Sequence, residues 1–363
     1  MTLVAPSPWV DVAKAVASQA IVWHHLAFYG PMADVAWPLA PALFDGLAHH
    51  ARMAVQVFLV VGGYLAALQW APQMRWREGV GLWPTLRRRY LRLLLPYVVM
   101  LGLAIAASAL ARTAIDHPSI SGPASVGQVV AHLALMQDVL GVPALSAGVW
   151  YVSIDFQLFV LFILLLWATR SAASIAWALG AVVSLCAMSL LAFNRHSDWD
   201  AYAIYFFGAY GLGILSAWWV QFQRPWLPLV LTLALVATAL YVEWRARIAV
   251  ASVTALALGL LAQWTWRDGP LRALVRYLSQ TSYALFLIHF PVCLLVNAAF
   301  TRWASSTPVV QGWGLIVAWL ASMVAADAFH RTIERPSLRW LARWRVEPPI
   351  PGRVQRPVRR TDE

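Results

Sequence analysis

GVWYVSIDFQLFVLFILLLWA, residues 148–168, is a continuous apolar run interrupted only by Ser153, Asp155 and Gln157. About 20 such residues in a helix cross the roughly 30 Å hydrocarbon core of a bilayer. Stretches of the same kind lie at 12–30, 53–70, 93–111, 174–193, 201–220, 225–242, 248–265, 279–299 and 309–328. The pattern predicts an all-α integral membrane protein with about ten transmembrane helices. Composition points the same way. Of 363 residues, 61% are hydrophobic and only 12% charged, where a soluble domain carries roughly 25% charge. A soluble enzyme, a nucleic-acid module and a disordered chain are excluded by that ratio.

The charge that remains is lopsided. The chain has 27 Lys and Arg against 16 Asp and Glu, a net +11, which in a membrane protein is expected as cytoplasmic loop arginine. With a cytoplasmic N-terminus, 21 of the 27 basic residues fall inside and 6 outside. Both termini are therefore expected in the cytoplasm. The 21 Trp residues suit membrane interfaces. The first apolar stretch carries Asp11 and Lys14 and lacks a small-residue cleavage site, so it reads as a retained helix. The segment 126–141 (VGQVVAHLALMQDVLG) is too short to span and holds Gln128, His132, Gln137 and Asp138; it reads as an interfacial or re-entrant helix. Residues 1–340 form one polytopic unit. The Pro- and Arg-rich tail, 341–363, is expected to be disordered or to lie on the inner membrane surface.

Ionisable groups inside a span are costly and mark functional candidates. In DVAKAVASQAIVWHHLAFYG (11–30), Lys14 and His25 are 11 residues apart. That is about 20° past three full turns and about 16 Å along the axis, so both project from one helix face. His24 points about 100° away. A lysine snorkelling to the interface with a histidine pair near the outer headgroups fits this span equally well. In RRRYLRLLLPY (87–97), Arg89 and Arg92 share a helix face and can fork onto phosphates, although an inside-positive anchor would look the same. Asp155 must face the protein interior or a watery cavity. His289, alone in its span, reads as a hydrogen-bonded packing residue. Cys186 and Cys293 sit in apolar runs, and neither a G-x-S-x-G nucleophile elbow nor any metal-ligand spacing occurs.

These positions, in this order, resemble the membrane acyltransferase 3 family, which transfers acyl groups to glycans and other envelope molecules. Lys14 and His25 are similar to the family's Arg, ten residues, His. ARMAVQVFLVVGGYLAAL (51–68) resembles its G-V-D-x-F-F-x-x-S-G-F, and Arg89 with Arg92 its R-x-x-R. VWYVSIDFQLF, SYALFLIHFPV and FHRTIERPSLRW resemble L-W-S-L-x-V-E-x-Q-F-Y, S-Y-x-x-Y-L-x-H-x-P and Y-x-x-I-E-x-P. Three residues depart from the pattern: Lys14 stands for Arg, Gln56 for an acid and Asp155 for Glu.

The resemblance implies a multi-pass protein of the bacterial inner membrane that carries an acetyl or succinyl group from cytoplasmic acyl-CoA to a hydroxyl of an envelope glycan or lipid-linked sugar. Arg89 and Arg92, helped by Arg88 or Lys14, would hold the CoA phosphates, and His25 would act as general base. Asp155 would orient the His25 ring, with Asp34 or Asp45 as alternatives. No metal and no nucleic acid enter this scheme, and no fused periplasmic domain is expected. The rival is a non-enzymatic carrier or flippase that uses the same polar interior to export a polar or acylated lipid or glycan.

Overall fold

A computed structural model describes residues 7–172, 174–221 and 226–343. Arg224 and the expected tail beyond Arg343 lie outside the described residues. Within them the chain is helical, with no strand. Each apolar stretch forms a helix: α1 (Pro8–Phe28), α4 (Ala54–Trp70), α5 (Leu82–Ala111), α7 (Val149–Thr169), α8 (Ala176–Leu191), α9 (Ala203–Gln221), α10 (Trp226–Val242), α11 (Ala246–Leu260), α12 (Pro270–Trp303) and α13 (Pro308–Phe329). Short helices α2 (Pro31–Ala36), α3 (Pro41–His49), α6 (Val126–Leu133) and α14 (Arg335–Ala342) link or extend them.

Seven of the ten are long and apolar enough to cross a membrane: α4 (extended back to Pro41), α5, α7, α8, α9, α12 and α13. The other three fall short for physical reasons. In α1 the polar side chains of Asp11, Lys14, Gln19, His24 and His25 dilute the apolar run. Helices α10 and α11 have 17 and 15 residues, below the roughly 20 that a span needs. At 34 residues, α12 is about 50 Å long by helical rise, so it reaches well past a hydrocarbon core.

The core has two centres. One is α9, whose residues from Ala203 to Trp218 are almost all buried. It meets α4 backbone to backbone. A Cβ at Gly63 would fall on the Tyr210 carbonyl, and one at Gly213 on the Val60 carbonyl. Small residues permit this approach where lipid offers no hydrophobic drive between helices. The other centre is α12, packed against α1, α13 and α5. Helix α7 lies between the two groups, touching α5, α9 and α4.

Residues 126–141 form one short helix and a turn that fold back onto α5 and α7. Ser125 closes a capping box with Gln128 at the start of α6. The far end of α6 reaches the third turn of α5, where the Tyr90 hydroxyl donates to the Leu133 carbonyl at 2.7 Å. The chain then turns through Leu135 (φ 56°). Gln137, fully buried, accepts from the Ser153 hydroxyl at 3.0 Å. His132 staples the returning strand of this loop: its Nδ1–H donates to the Gln128 carbonyl at 2.8 Å, and its Nε2 accepts from the Leu145 amide at 3.1 Å.

Candidate active site

The starts of α1 and α5, one face each of α4 and α7, the first half of α12 and the segment that follows α13 meet at the arginine-rich end of the bundle. They enclose a cavity of about 780 Å³. Lys14, Arg88, Arg89, Arg92 and Asp155 all line it, so three separate helices, α1, α5 and α7, bring the expected cations and the carboxylate to one space. Its walls are aromatic, with Phe58, Trp70, Phe159, Tyr283 and Phe286.

Within the cavity the two arginines of the R-x-x-R pair differ. Arg89 donates to Asp155 at 2.5 Å, and its guanidinium lies 5.2 Å from the centre of the Phe159 ring. The Asp155 side chain is 8% exposed, and that degree of burial without a cation would be costly. Arg92 makes no such ion pair and opens into the cavity. The alternation of Ser153, Asp155 and Gln157 is also explained. Ser153 is taken up by Gln137, and Gln157 accepts from the Ala203 amide at 3.2 Å. Asp155, on the opposite face of α7, turns into the cavity.

His25 lies beyond the deep end of this space and does not line it. The rings of Tyr151 and Phe286 meet edge to face at 5.3 Å and close that end. Behind them His25, 7% exposed, meets fully buried His289 edge to edge, with the rings within 15° of parallel, their centres 4.9 Å apart and Nδ1 of His25 2.6 Å from Nε2 of His289. Gly148 (φ +79°) introduces α7 here; a Cβ on it would stand 3.3 Å from the Phe286 ring and 3.5 Å from His25 Cε1. Glycine is the residue that takes this conformation without strain and leaves the imidazole room.

The expected contact between Asp155 and His25 is not made. The carboxylate is held by Arg89, and the ring meets a second histidine. Nor do the alternatives reach it: Asp34 pairs with His117 at 3.2 Å, and Asp45 accepts from the Trp37 indole at 3.3 Å. His24 turns away and donates from Nδ1 to the Leu47 carbonyl at 3.2 Å. Gln56 sits apart, in a crevice with Asn194, Tyr205 and Arg247.

The fold also brings in residues to which the sequence assigned no chemistry. His289, which reads from the sequence as a packing residue, meets His25; its signal was the histidine of SYALFLIHFPV. Others come from FHRTIERPSLRW. Here α13 loosens into a π-helical turn, His330–Glu334, before α14, a feature often found at functional sites. The turn presents His330 and Glu334 to the cavity and α14 adds Arg335, with His330 Nδ1 2.7 Å from the Glu334 carboxylate. Among the described residues, no three His, Cys, Asp or Glu side chains are grouped to hold a metal ion. Both cysteines are buried and unpaired.

A cationic, aromatic-walled cavity that stops one ring short of a buried imidazole pair suits a phosphate-bearing donor whose reactive end must reach a base. No curated protein and no solved structure matches the chain. The family profile described as an acyltransferase domain, Acyl_transf_3, matches residues 7–327, nearly the whole chain. The protein belongs to this acyltransferase family and is a multi-pass membrane protein.

Proposed function

We propose that the protein transfers an acetyl or succinyl group from cytoplasmic acyl-CoA to a hydroxyl of an envelope glycan or lipid-linked sugar, in the inner membrane of a bacterium. The observation that carries this reading is the placement of Lys14, Arg88, Arg89 and Arg92 around one cavity whose deep end abuts His25 through Phe286 and Tyr151. In this reading the ten helices of residues 1–340 all cross the membrane, α1, α10 and α11 included, because they pack against α12, α9 and α8. Both termini, with the tail from 341, then lie in the cytoplasm, as the arginine bias favours.

Lys14, Arg88 and Arg92 hold the phosphates of CoA at the open end. Arg89, tied to Asp155, sits nearer the thioester and keeps the carboxylate from being an uncompensated charge. The pantetheine arm follows the aromatic wall. At the deep end the acceptor hydroxyl oxygen attacks the thioester carbonyl carbon while His25 takes its proton. The carbon–sulfur bond breaks, and the same proton passes to the departing thiolate, leaving an ester and CoA thiol. Direct transfer needs no acyl-enzyme, which agrees with the burial of both cysteines.

The test is acyl transfer by purified protein in detergent or liposomes. Removing a general base costs about 10²- to 10⁴-fold, so His25→Ala loses kcat on that scale while still binding acyl-CoA. Arg92→Ala removes a charge-assisted contact of about 1.5–3 kcal/mol, and the KM for acyl-CoA rises about 10- to 100-fold. Full activity of His25→Ala sinks the base assignment. An unchanged KM in Arg92→Ala sinks the donor site, and substrate export without CoA release would identify a carrier instead.

A further inference from the structure

The His25–His289 contact determines which nitrogen does the work. We propose that His289 is a positioning residue that holds His25 in the Nδ1–H tautomer, leaving His25 Nε2 as the atom that receives the acceptor's proton. The inference rests on His25 being the general base and adds how that base is prepared.

The hydrogen positions in this pair are set by a group that has no choice. The Leu285 carbonyl can only accept, and it lies 2.9 Å from His289 Nδ1, so that nitrogen carries the hydrogen. In a neutral imidazole the other nitrogen is then a bare acceptor, and His289 Nε2 lies 2.6 Å from His25 Nδ1. His25 must supply the hydrogen of that bond. The opposite tautomer would face two lone pairs at the same distance, in a pair that is 0% and 7% exposed and has no solvent to relieve it. A hydrogen-bond partner that fixes an imidazole tautomer through its far nitrogen is a general device.

His25 Nε2 makes no hydrogen bond among the described residues, so no protein group claims the prepared lone pair. Both states of the ring are served. When Nε2 takes the hydroxyl proton, Nδ1–H still donates to His289, and the positive charge is shared across the short bond onto a ring already anchored by Leu285. When Nε2 returns the proton to the thiolate, the starting pattern is restored, with no net change in either histidine.

The measurement is the tautomeric state of His25 by nitrogen-15 NMR of the full-length protein in detergent, labelled at histidine. The His25 signal is the one missing in His25→Ala. The expected result is the Nδ1–H tautomer in the wild type without substrate; an Nε2–H tautomer overturns the proposal. Activity gives the second arm. His289→Leu removes the acceptor and lowers kcat about 100-fold, the low end of a general base's contribution, with the KM for acyl-CoA unchanged. His289→Gln, whose amide can accept from His25 and donate to Leu285, restores most of it. Full activity in His289→Leu overturns the proposal, and so does a Gln variant no better than Leu. If His289→Leu does not fold, the wild-type spectrum and the Gln variant still decide. The spectrum needs no turnover, so a wrong tautomer is distinguishable from full activity in His25→Ala, which would remove the underlying base assignment instead.

Discussion

Asp155 shows how much a single residue's meaning depends on its partner. By position it is a carboxylate in an apolar span, a short reach from a histidine in a neighbouring helix, and an orienting role is a reasonable expectation. In the fold its charge is answered by Arg89 at 2.5 Å. Removing one member of a buried pair strands the other, at about 3–5 kcal/mol, whereas replacing both with apolar groups is far milder. Asp155→Leu is therefore expected to lower thermal stability in detergent sharply. Adding Arg89→Met to it should recover much of the loss, and a double variant no more stable than the single one would show that the pair is not the source. The Lys14 and His25 relationship, by contrast, was legible at the residue scale, because a helix converts an 11-residue spacing into a shared face. His289 was not legible. One histidine in an apolar helix carries no sign of what it touches until α1 is laid against α12.

Among the elements, the segment 126–141 is the one whose local sequence left two readings open. Its length ruled out a span, but whether it lay on the bilayer or dipped into the protein depended on the partners of Gln137 and Leu133, which belong to α7 and α5. Its staple, His132, is neutral, since its Nε2 accepts from the Leu145 amide. Burial pushes its imidazole below the ordinary value. The folded state thus binds fewer protons at this residue than the unfolded chain does. Its contribution to stability is complete above about pH 6.5 and is lost as pH falls through the lowered folded value. Thermal unfolding of the wild type at pH 7.5 and 5.5 should show a loss on acidification that His132→Gln reduces, although the variant starts less stable. Equal losses in both proteins would remove His132 as the origin. The π-helical turn after α13 is another element no pattern announced. FHRTIERPSLRW was legible only as a family motif, and the loosened turn with its side chains at the cavity appears only in the fold.

For the molecule as a whole, the Arg-rich loops and the cavity mouth coincide at one end, and His25 with His289 lies toward the other. The proposed topology makes that end cytoplasmic, with Ser197 outside and Thr265 inside; both are exposed. Cysteines introduced at these two positions, singly, should respond oppositely to a membrane-impermeant thiol reagent. The Ser197→Cys site is labelled in intact spheroplasts and the Thr265→Cys site only after lysis. The native Cys186 and Cys293 are buried and give little background. Labelling of both from outside would contradict the arrangement of ten spans.

The sequence by itself determined that the chain lives in a membrane, where its helices run and which charges are out of place. Those properties follow from apolar length and helical periodicity, which are local. It also carried the family, through motifs in a set order. What only the tertiary structure decided is partnership: that Arg89 answers Asp155, that His289 answers His25, that the loop after α6 folds back onto α7, and that Arg92 lines the cavity without such an ion pair among the described residues. Such pairings join residues 66 and 264 positions apart. They exist because buried polar groups must find partners wherever the packing of whole helices delivers them.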